Sequence, residues 1–317
     1  MLPYTDFIWA LAAAKIDTVS DSSTMPRIVS VRMQVTGATK LVGLFGYPVE
    51  HTLSPLIHNI AFRVMGIDWI YCAFPVMPSD LREASRAIRA LRMPGVNITV
   101  PHKERIIDYL DRLSSEAEAI GAVNTVVSED GFLVGYNTDV TGFAQSLKEG
   151  GFSIPGKVVL MIGAGGAALA VGHALVAGGA QRLLVLNRTS SRAAGLVTRL
   201  RRLAGATDIE RLSWENRSAL SCAPEVDLLV NTTSCGLEPG EAIINIDQFS
   251  PKTRIYDLVY NRMTELLQNG ARRGFECQGG RGMLVHQGAQ AFSLWTKLDA
   301  PVDAMRSAID EYLGETI

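Results

Sequence analysis

Apolar and polar positions along this chain follow two periods in turn, one of strand type and one of helix type. Short apolar runs at 40–45, 69–75, 95–100, 158–162, 183–186, 228–231 and 254–258 predict buried strands. Between them, helical patterning covers 55–65, 79–91, 103–110, 114–120, 140–149, 167–178 and 190–203. Segments 121–127 and 132–136 predict a hairpin through Glu129-Asp130-Gly131. Ser54 suits a helix N-cap, with Pro55 at the first helical position. Two further helices, 283–295 and 302–312, follow the run Gly279-Gly280-Arg281-Gly282. Strand and helix in alternation imply an α/β fold with parallel strands and helices on both faces.

The 317 residues suffice for two domains. Gly150-Gly151 breaks the helix that leads from one to the other. The expected division is an extension over 1–38, a first α/β domain over 39–139 completed by 282–317, and a second domain over 140–281. A cleft between them is the expected ligand site. Within the extension, 7–14 predict a helix and 20–24 a polar linker. Asp6 ahead of that apolar stretch argues against a signal peptide. No apolar run reaches the roughly 18 residues of a membrane span.

Composition narrows the partners. A hydrophobic content of 47% supports a sizeable core, and a net charge of −2 argues against nucleic-acid binding. Positive charge must therefore act locally. Cys72, Cys222, Cys235 and Cys277 form no CxxC pair, which suggests free thiols in a reducing, cytoplasmic compartment. Cys235 reads as a small buried residue. The histidines His51, His58, His102, His173 and His286 lack metal-ligand spacing, so no metal site is expected. His51 and His102 are expected to shape the cleft mouth.

The strongest motif is Gly163-Ala164-Gly165-Gly166-Ala167, set between the 158–162 strand and the 167–178 helix. Strand, glycine turn and helix together let a backbone approach a pyrophosphate at a helix N-terminus. The next strand ends at Asn187-Arg188-Thr189, with Arg192 one helical turn on. A carboxylate here would suit a ribose 2′-hydroxyl. Two guanidinium groups favour a 2′-phosphate, hence NADP(H) as cofactor.

Three segments of the first domain place polar side chains at strand ends or helix entries. They are Pro48-Val49-Glu50-His51-Thr52-Leu53-Ser54-Pro55, Asn97-Ile98-Thr99-Val100-Pro101-His102-Lys103 and Gly135-Tyr136-Asn137-Thr138-Asp139. Singly they read as caps and solvated charges. With Asn124 in Gly121-Ala122-Val123-Asn124-Thr125 and Gln287 in His286-Gln287-Gly288-Ala289, they supply neutral hydrogen-bonders, one ammonium and one carboxylate. That set suits a polyhydroxylated carboxylic acid.

In order and spacing these segments, with Asn187-Arg188-Thr189, Tyr256-Asp257-Leu258-Val259-Tyr260-Asn261 and Gly282-Met283-Leu284, resemble the shikimate dehydrogenases. The resemblance runs from about residue 39 onward. It implies a substrate domain and a Rossmann-type NADP-binding domain flanking a cleft. The implied reaction is NADP-dependent, reversible reduction of 3-dehydroshikimate to shikimate in aromatic amino-acid biosynthesis. Carried over by motif, Lys103 and Asp139 match the catalytic pair. Thr52 and Ser54 match the carboxylate-holding hydroxyls. Thr99, Asn124, Asp139 and Gln287 match ring-hydroxyl partners, and Tyr260 a further substrate contact. Gly280, Met283, Leu258 and the turn Asn231-Thr232-Thr233-Ser234 match the nicotinamide end.

Departures are few. Thr52 stands where the family usually has Ser, Tyr47 where His is common, and Arg262 where Pro follows Tyr-Asn. Members that also accept quinate vary at the carboxylate hydroxyls, so a quinate/shikimate dehydrogenase or related paralogue is the alternative. A non-catalytic NADPH-responsive regulator could lose Lys103 or Asp139; this chain has both. A glutamyl-tRNA reductase would need a catalytic cysteine in the first domain, where only Cys72 lies, on an expected strand. Monomer and homodimer both suit the resemblance.

Overall fold

The computed structural model describes residues 35–203, 205–233, 235 and 243–314. The helix expected at 7–14, the linker at 20–24 and Ser234 lie outside them. Val35–Ile317 form one unit holding two six-stranded sheets. The chain first runs β1 (Lys40–Gly46), α1 (Ser54–Val64), β2 (Trp69–Pro75), α2 (Leu81–Ala90), β3 (Gly95–Ile98) and β4 (Arg112–Leu113). It continues through α3 (Ser115–Ile120), the hairpin β5 (Thr125–Glu129) and β6 (Phe132–Tyr136), and α4 (Asp139–Glu149). Then come β7 (Val158–Ile162), α5 (Gly166–Ala177), β8 (Arg182–Leu186), α6 (Ser190–Arg201), β9 (Asp208–Leu212) and β10 (Leu228–Asn231). Last are β11 (Arg254–Asp257), α7 (Glu265–Arg272), β12 (Cys277–Gly279), α8 (Arg281–Thr296) and α9 (Val302–Leu313).

The first sheet has the order β2-β1-β3-β5-β6-β4. β1 pairs parallel with β2 and β3, while β5 is antiparallel to both β3 and β6. One face packs Val42 and Leu44 against Ile57 and Phe62 of α1 and Val285 and Phe292 of α8. The other packs Ile98, Val126 and Leu133 against Leu81 and Ile88 of α2. Trp295 of α8 donates from Nε1 to the Val126 carbonyl at 3.0 Å, which fixes α8 on this sheet. Both C-terminal helices pack on the first sheet.

The second sheet is wholly parallel, in the order β12-β11-β10-β7-β8-β9. Chain order reverses between β7 and β10, the switch point of a doubly wound sheet. All five residues of β7 are buried, because helices cover both faces and leave no polar side. α4 and α8 cross closely. A Cβ at Gly142 would stand 2.8 Å from Gln287 Cβ, and one at Gly282 would stand 2.5 Å from Ser146 Oγ.

Two local expectations are corrected. The helix expected at 103–110 is a short 3₁₀ turn, Arg105–Tyr109. The Lys103 carbonyl accepts from Val123 N at 2.8 Å, which ties the entry of this segment to the chain just before β5. Ser54 is not the N-cap of α1 but its first helical residue, with Leu53 as cap. The Ser54 hydroxyl instead accepts from Thr52 Oγ1 at 3.2 Å.

Candidate active site

The two sheets border a common cleft of about 360 Å³. The first sheet's side supplies Thr52 ahead of α1 and Ser54 at its start, Thr99 and Lys103 after β3, Asn124 before β5, and Asp139 at the start of α4. The opposite wall holds Ala167 on α5, Thr232 and Thr233 after β10, and Leu258 and Tyr260 after β11. Gly280, the N-cap of α8, and Met283 and Gln287 in its first half also line it.

Lys103 is the one lysine or arginine among the described lining residues. Its Nζ lies 2.6 Å from Asp139 Oδ2, with side chains only 13% and 8% exposed. Asp139 Oδ1 accepts from Asn124 Nδ2 at 2.8 Å, so both carboxylate oxygens are held. Asn124 is itself fixed, because its Oδ1 accepts from Thr138 N at 2.7 Å. Behind it, Asn97 donates from Nδ2 to the Asn124 carbonyl at 3.2 Å and to Thr125 Oγ1 at 3.0 Å. Tyr71 donates from its hydroxyl to Asn97 Oδ1 at 2.8 Å. A continuous hydrogen-bond chain thus runs from β2 to Lys103.

A second cluster is made of hydroxyls. Thr52 Oγ1 donates to Ser54 Oγ, Tyr71 also meets Ser54, and Tyr260 meets Thr52 and the Leu53 backbone. Burial raises the phenol pKa of both tyrosines, against the opposing pull of these hydrogen bonds. Both remain neutral at ordinary pH. The cluster therefore offers uncharged hydrogen bonds, suited to a carboxylate kept apart from the Lys103 ammonium.

Beyond the cleft lining, the glycine turn follows β7. Gly163 has φ +122°, and a Cβ there would stand 2.1 Å from Thr232 Oγ1. A Cβ at Gly165 would meet nothing within 4 Å, so the backbone ahead of α5 borders open space. A Cβ at Gly166 would lie 3.4 Å from Lys103 Cδ, so the lysine stem reaches the N-terminus of α5. Past β8, Arg188, Thr189 and Arg192 are exposed. Asn187 Nδ2 donates to the Thr189 carbonyl at 2.9 Å and shapes the turn that presents them.

The cleft therefore gathers Thr52, Ser54, Thr99, Lys103, Asn124, Asp139, Tyr260 and Gln287 with Ala167, Thr233, Leu258, Gly280 and Met283. Gly163, Ala164, Gly165, Gly166, Asn187, Arg188, Thr189, Arg192 and Asn231 are not in its lining. Asn231 is fully buried, donating to Asp257 Oδ1 at 3.0 Å and accepting from Thr233 N at 3.0 Å. It shapes the turn after β10. Two minor readings are corrected. His102 is fully buried and binds the Val76 carbonyl at 2.7 Å, so it does not shape the mouth. Cys235 is exposed, not buried. Tyr71 escaped sequence reasoning, because a buried tyrosine on a strand reads as core until its hydroxyl is traced. Among the described residues, no His, Cys, Asp or Glu group is placed to hold a metal, and no helix is long and apolar enough to cross a membrane.

Fold and site define a class: α/β proteins with a doubly wound, glycine-turn sheet beside a polar cleft bearing a Lys–Asp pair. Sequence profiles narrow it. The shikimate dehydrogenase substrate binding domain matches residues 44–126, shikimate / quinate 5-dehydrogenase 144–235, and the shikimate 5′-dehydrogenase C-terminal domain 280–309. Shikimate dehydrogenase (NADP(+)) of Moorella thermoacetica is 46% identical over 290 residues, covering 89% of this chain and 96% of that protein. The Geobacter metallireducens enzyme of the same name is 42% identical, covering 87% and 98%. The crystal structure of Thermus thermophilus shikimate 5-dehydrogenase with NADP(H) and shikimate matches with TM-score 0.77 and 36% identity, covering 86% and 100%. The chain belongs to the shikimate dehydrogenase family.

Proposed function

We propose that this chain catalyses the reversible, NADP-dependent reduction of 3-dehydroshikimate to shikimate. The observation that carries the reading is the Lys103–Asp139 pair, 2.6 Å apart, set between the hydroxyl cluster and the N-terminus of α5. The residues present suit the cofactor. Open space at Gly165 leaves room for a pyrophosphate beside the free N–H groups of a helix N-terminus. Exposed Arg188 and Arg192 suit a 2′-phosphate, with Thr189 beside them. Thr233, Leu258, Gly280 and Met283 would face the nicotinamide, and Gly163, Ala164, Gly166 and Ala167 would form the phosphate turn. When bound, NADPH supplies the hydride.

The chain's own residues then divide the remaining work. Thr52 and Ser54 hold the substrate carboxylate, Thr99, Asn124, Asp139 and Gln287 hold ring hydroxyls, and Tyr260, beside Thr52, makes a further substrate contact. Lys103 Nζ gives its proton to the oxygen that becomes the alcohol, and takes it back in the reverse direction. Asp139 orients that ammonium and accepts from the reacting hydroxyl. The fixed Asn124 keeps the carboxylate in place between turnovers.

We divide the unit into a substrate domain, 39–139 with 282–317, and an NADP-binding domain, 140–281. Closure about Val140 and Gly282 would exclude water as substrate and nicotinamide meet. All proposed site residues belong to one chain, so either monomer or homodimer suits the chemistry. The four free cysteines accord with a cytoplasmic setting. Replacing Lys103 with Met is expected to lower kcat by about 10²–10⁴-fold, the range for losing a positioned acid–base group. Shikimate binding should stay within a few-fold of wild type by titration calorimetry. Unchanged turnover would remove Lys103 from the role assigned.

A further inference from the structure

His58 of α1 is fully buried, yet neither ring nitrogen has a hydrogen-bond partner. Burying a polar ring without partners costs stability, so the position calls for a reason. Its surroundings supply one. The imidazole stacks on Tyr71 with ring centroids 4.4 Å apart and planes within 2°. Trp295 and Phe62 enclose it at 5.3 and 6.2 Å. A Cβ at Gly288 of α8 would lie 3.5 Å from His58 Nε2, so α8 closes the slot at ordinary contact distance. Burial also lowers the His58 pKa to about 3, which keeps the ring neutral.

The neighbouring residue holds the same tyrosine by its backbone. Asn59 accepts from Tyr71 N at 2.9 Å and donates to the Tyr71 carbonyl at 3.0 Å. α1 thus grips Tyr71 twice, at the main chain through Asn59 and at the ring face through His58. The hydroxyl so presented binds Asn97 on one side and meets Ser54 on the other. Tyr71 is therefore the joint between the hydroxyl cluster and the hydrogen-bond chain leading to Lys103.

We propose that His58 is a positioning residue for the substrate site, acting through the face of Tyr71. A phenol oxygen lies on the axis about which the ring turns. Rotation leaves the oxygen in place but swings the plane in which its O–H and lone pairs lie. A flat ring stacked in parallel fixes that plane. The O–H then points at Asn97, and a lone pair stays open to Ser54. A branched aliphatic side chain fills similar space but does not set the plane. The inference rests on the proposed substrate and on the role given there to Ser54.

The test is a double-mutant cycle on the full chain, with shikimate and NADP+ as substrates. His58→Leu is expected to lower kcat/KM for shikimate about tenfold, which corresponds to about 1.4 kcal/mol. In the Tyr71→Phe background, where the hydroxyl is already gone, the same change should cost less than about twofold. KM for NADP+ should hold throughout. His58→Phe, which keeps a flat face, should stay within about threefold of wild type, and it serves should the leucine variant fail to fold. Equal losses in both backgrounds would assign His58 to general packing and overturn the proposal. So would a leucine variant with wild-type kcat/KM. Wild-type protein that turns over no shikimate would overturn the underlying reading, and this inference with it.

Discussion

Arg188 and Arg192, which we propose decide the cofactor, are exposed side chains at the end of β8 and the start of α6. A hydrogen bond to a charged group contributes about 1.5–3 kcal/mol. Arg188→Ala or Arg192→Ala should therefore raise KM for NADP+ by about tenfold or more, with KM for NAD+ unchanged. Equal effects on the two cofactors would assign the arginines elsewhere. At His58 the pH dependence has a definite sign. The folded pKa is about 3 against an ordinary 6.5, so below pH 6.5 the unfolded chain takes up a proton that the folded chain refuses. Stability from this group is complete above 6.5 and falls toward pH 3, by up to about 1.4 kcal/mol per pH unit. Urea unfolding of His58→Phe between about pH 7 and pH 5 should show a shallower decline than wild type. Parallel declines would contradict it. At this scale the polar motifs were legible, since Lys103, Asp139, Asn124, Thr52 and Ser54 do share one cleft. Tyr71 and His58 were not, because an aromatic on a strand and a histidine on a helix announce only burial.

The elements that were legible are those with strong apolar patterning. β7, wholly buried, and β8, buried but for Arg182, read directly as parallel strands. β9 escaped because Asp208, Glu210 and Arg211 interrupt it and only Ile209 is buried in this edge strand. β12 escaped because Cys277–Gly279 is only three residues long and ends in a glycine. α7 escaped because Asn269-Gly270 reads as a turn pair. Gly270 instead lets the helix lie against β12, where a Cβ would meet Cys277 Sγ at 2.6 Å. The 103–110 segment forms only a short 3₁₀ turn, and its tie to Val123 through the Lys103 carbonyl is a tertiary contact that local pattern does not show. At the β7–α5 turn, Gly163→Ala meets both a φ of +122° and a contact with Thr232. It should lower unfolding stability by about 1–3 kcal/mol, measured by urea denaturation, and weaken NADP+ binding. A variant as stable as wild type would show that this turn relaxes freely.

For the whole molecule, alternation of strand and helix announced the α/β class, and the second sheet has the doubly wound order that the glycine turn implied. The mixed first sheet was less legible, because the antiparallel placement of β5 between β3 and β6 depends on tertiary pairing and not on local pattern. The return of α8 to that sheet follows from Trp295 and the close crossing through Gly142 and Gly282. This return brings Met283 and Gln287 opposite Thr52 and Asp139 in one cleft. The central claim is that this cleft reduces one ketone with one cofactor. Its most direct test is the initial rate of cofactor reduction with shikimate and with quinate, each with NADP+ and with NAD+. Strong preference for shikimate with NADP+ is expected. Comparable quinate turnover would contradict the specificity and point first to Thr52, and no turnover with any pair despite NADPH binding would contradict the catalytic reading itself.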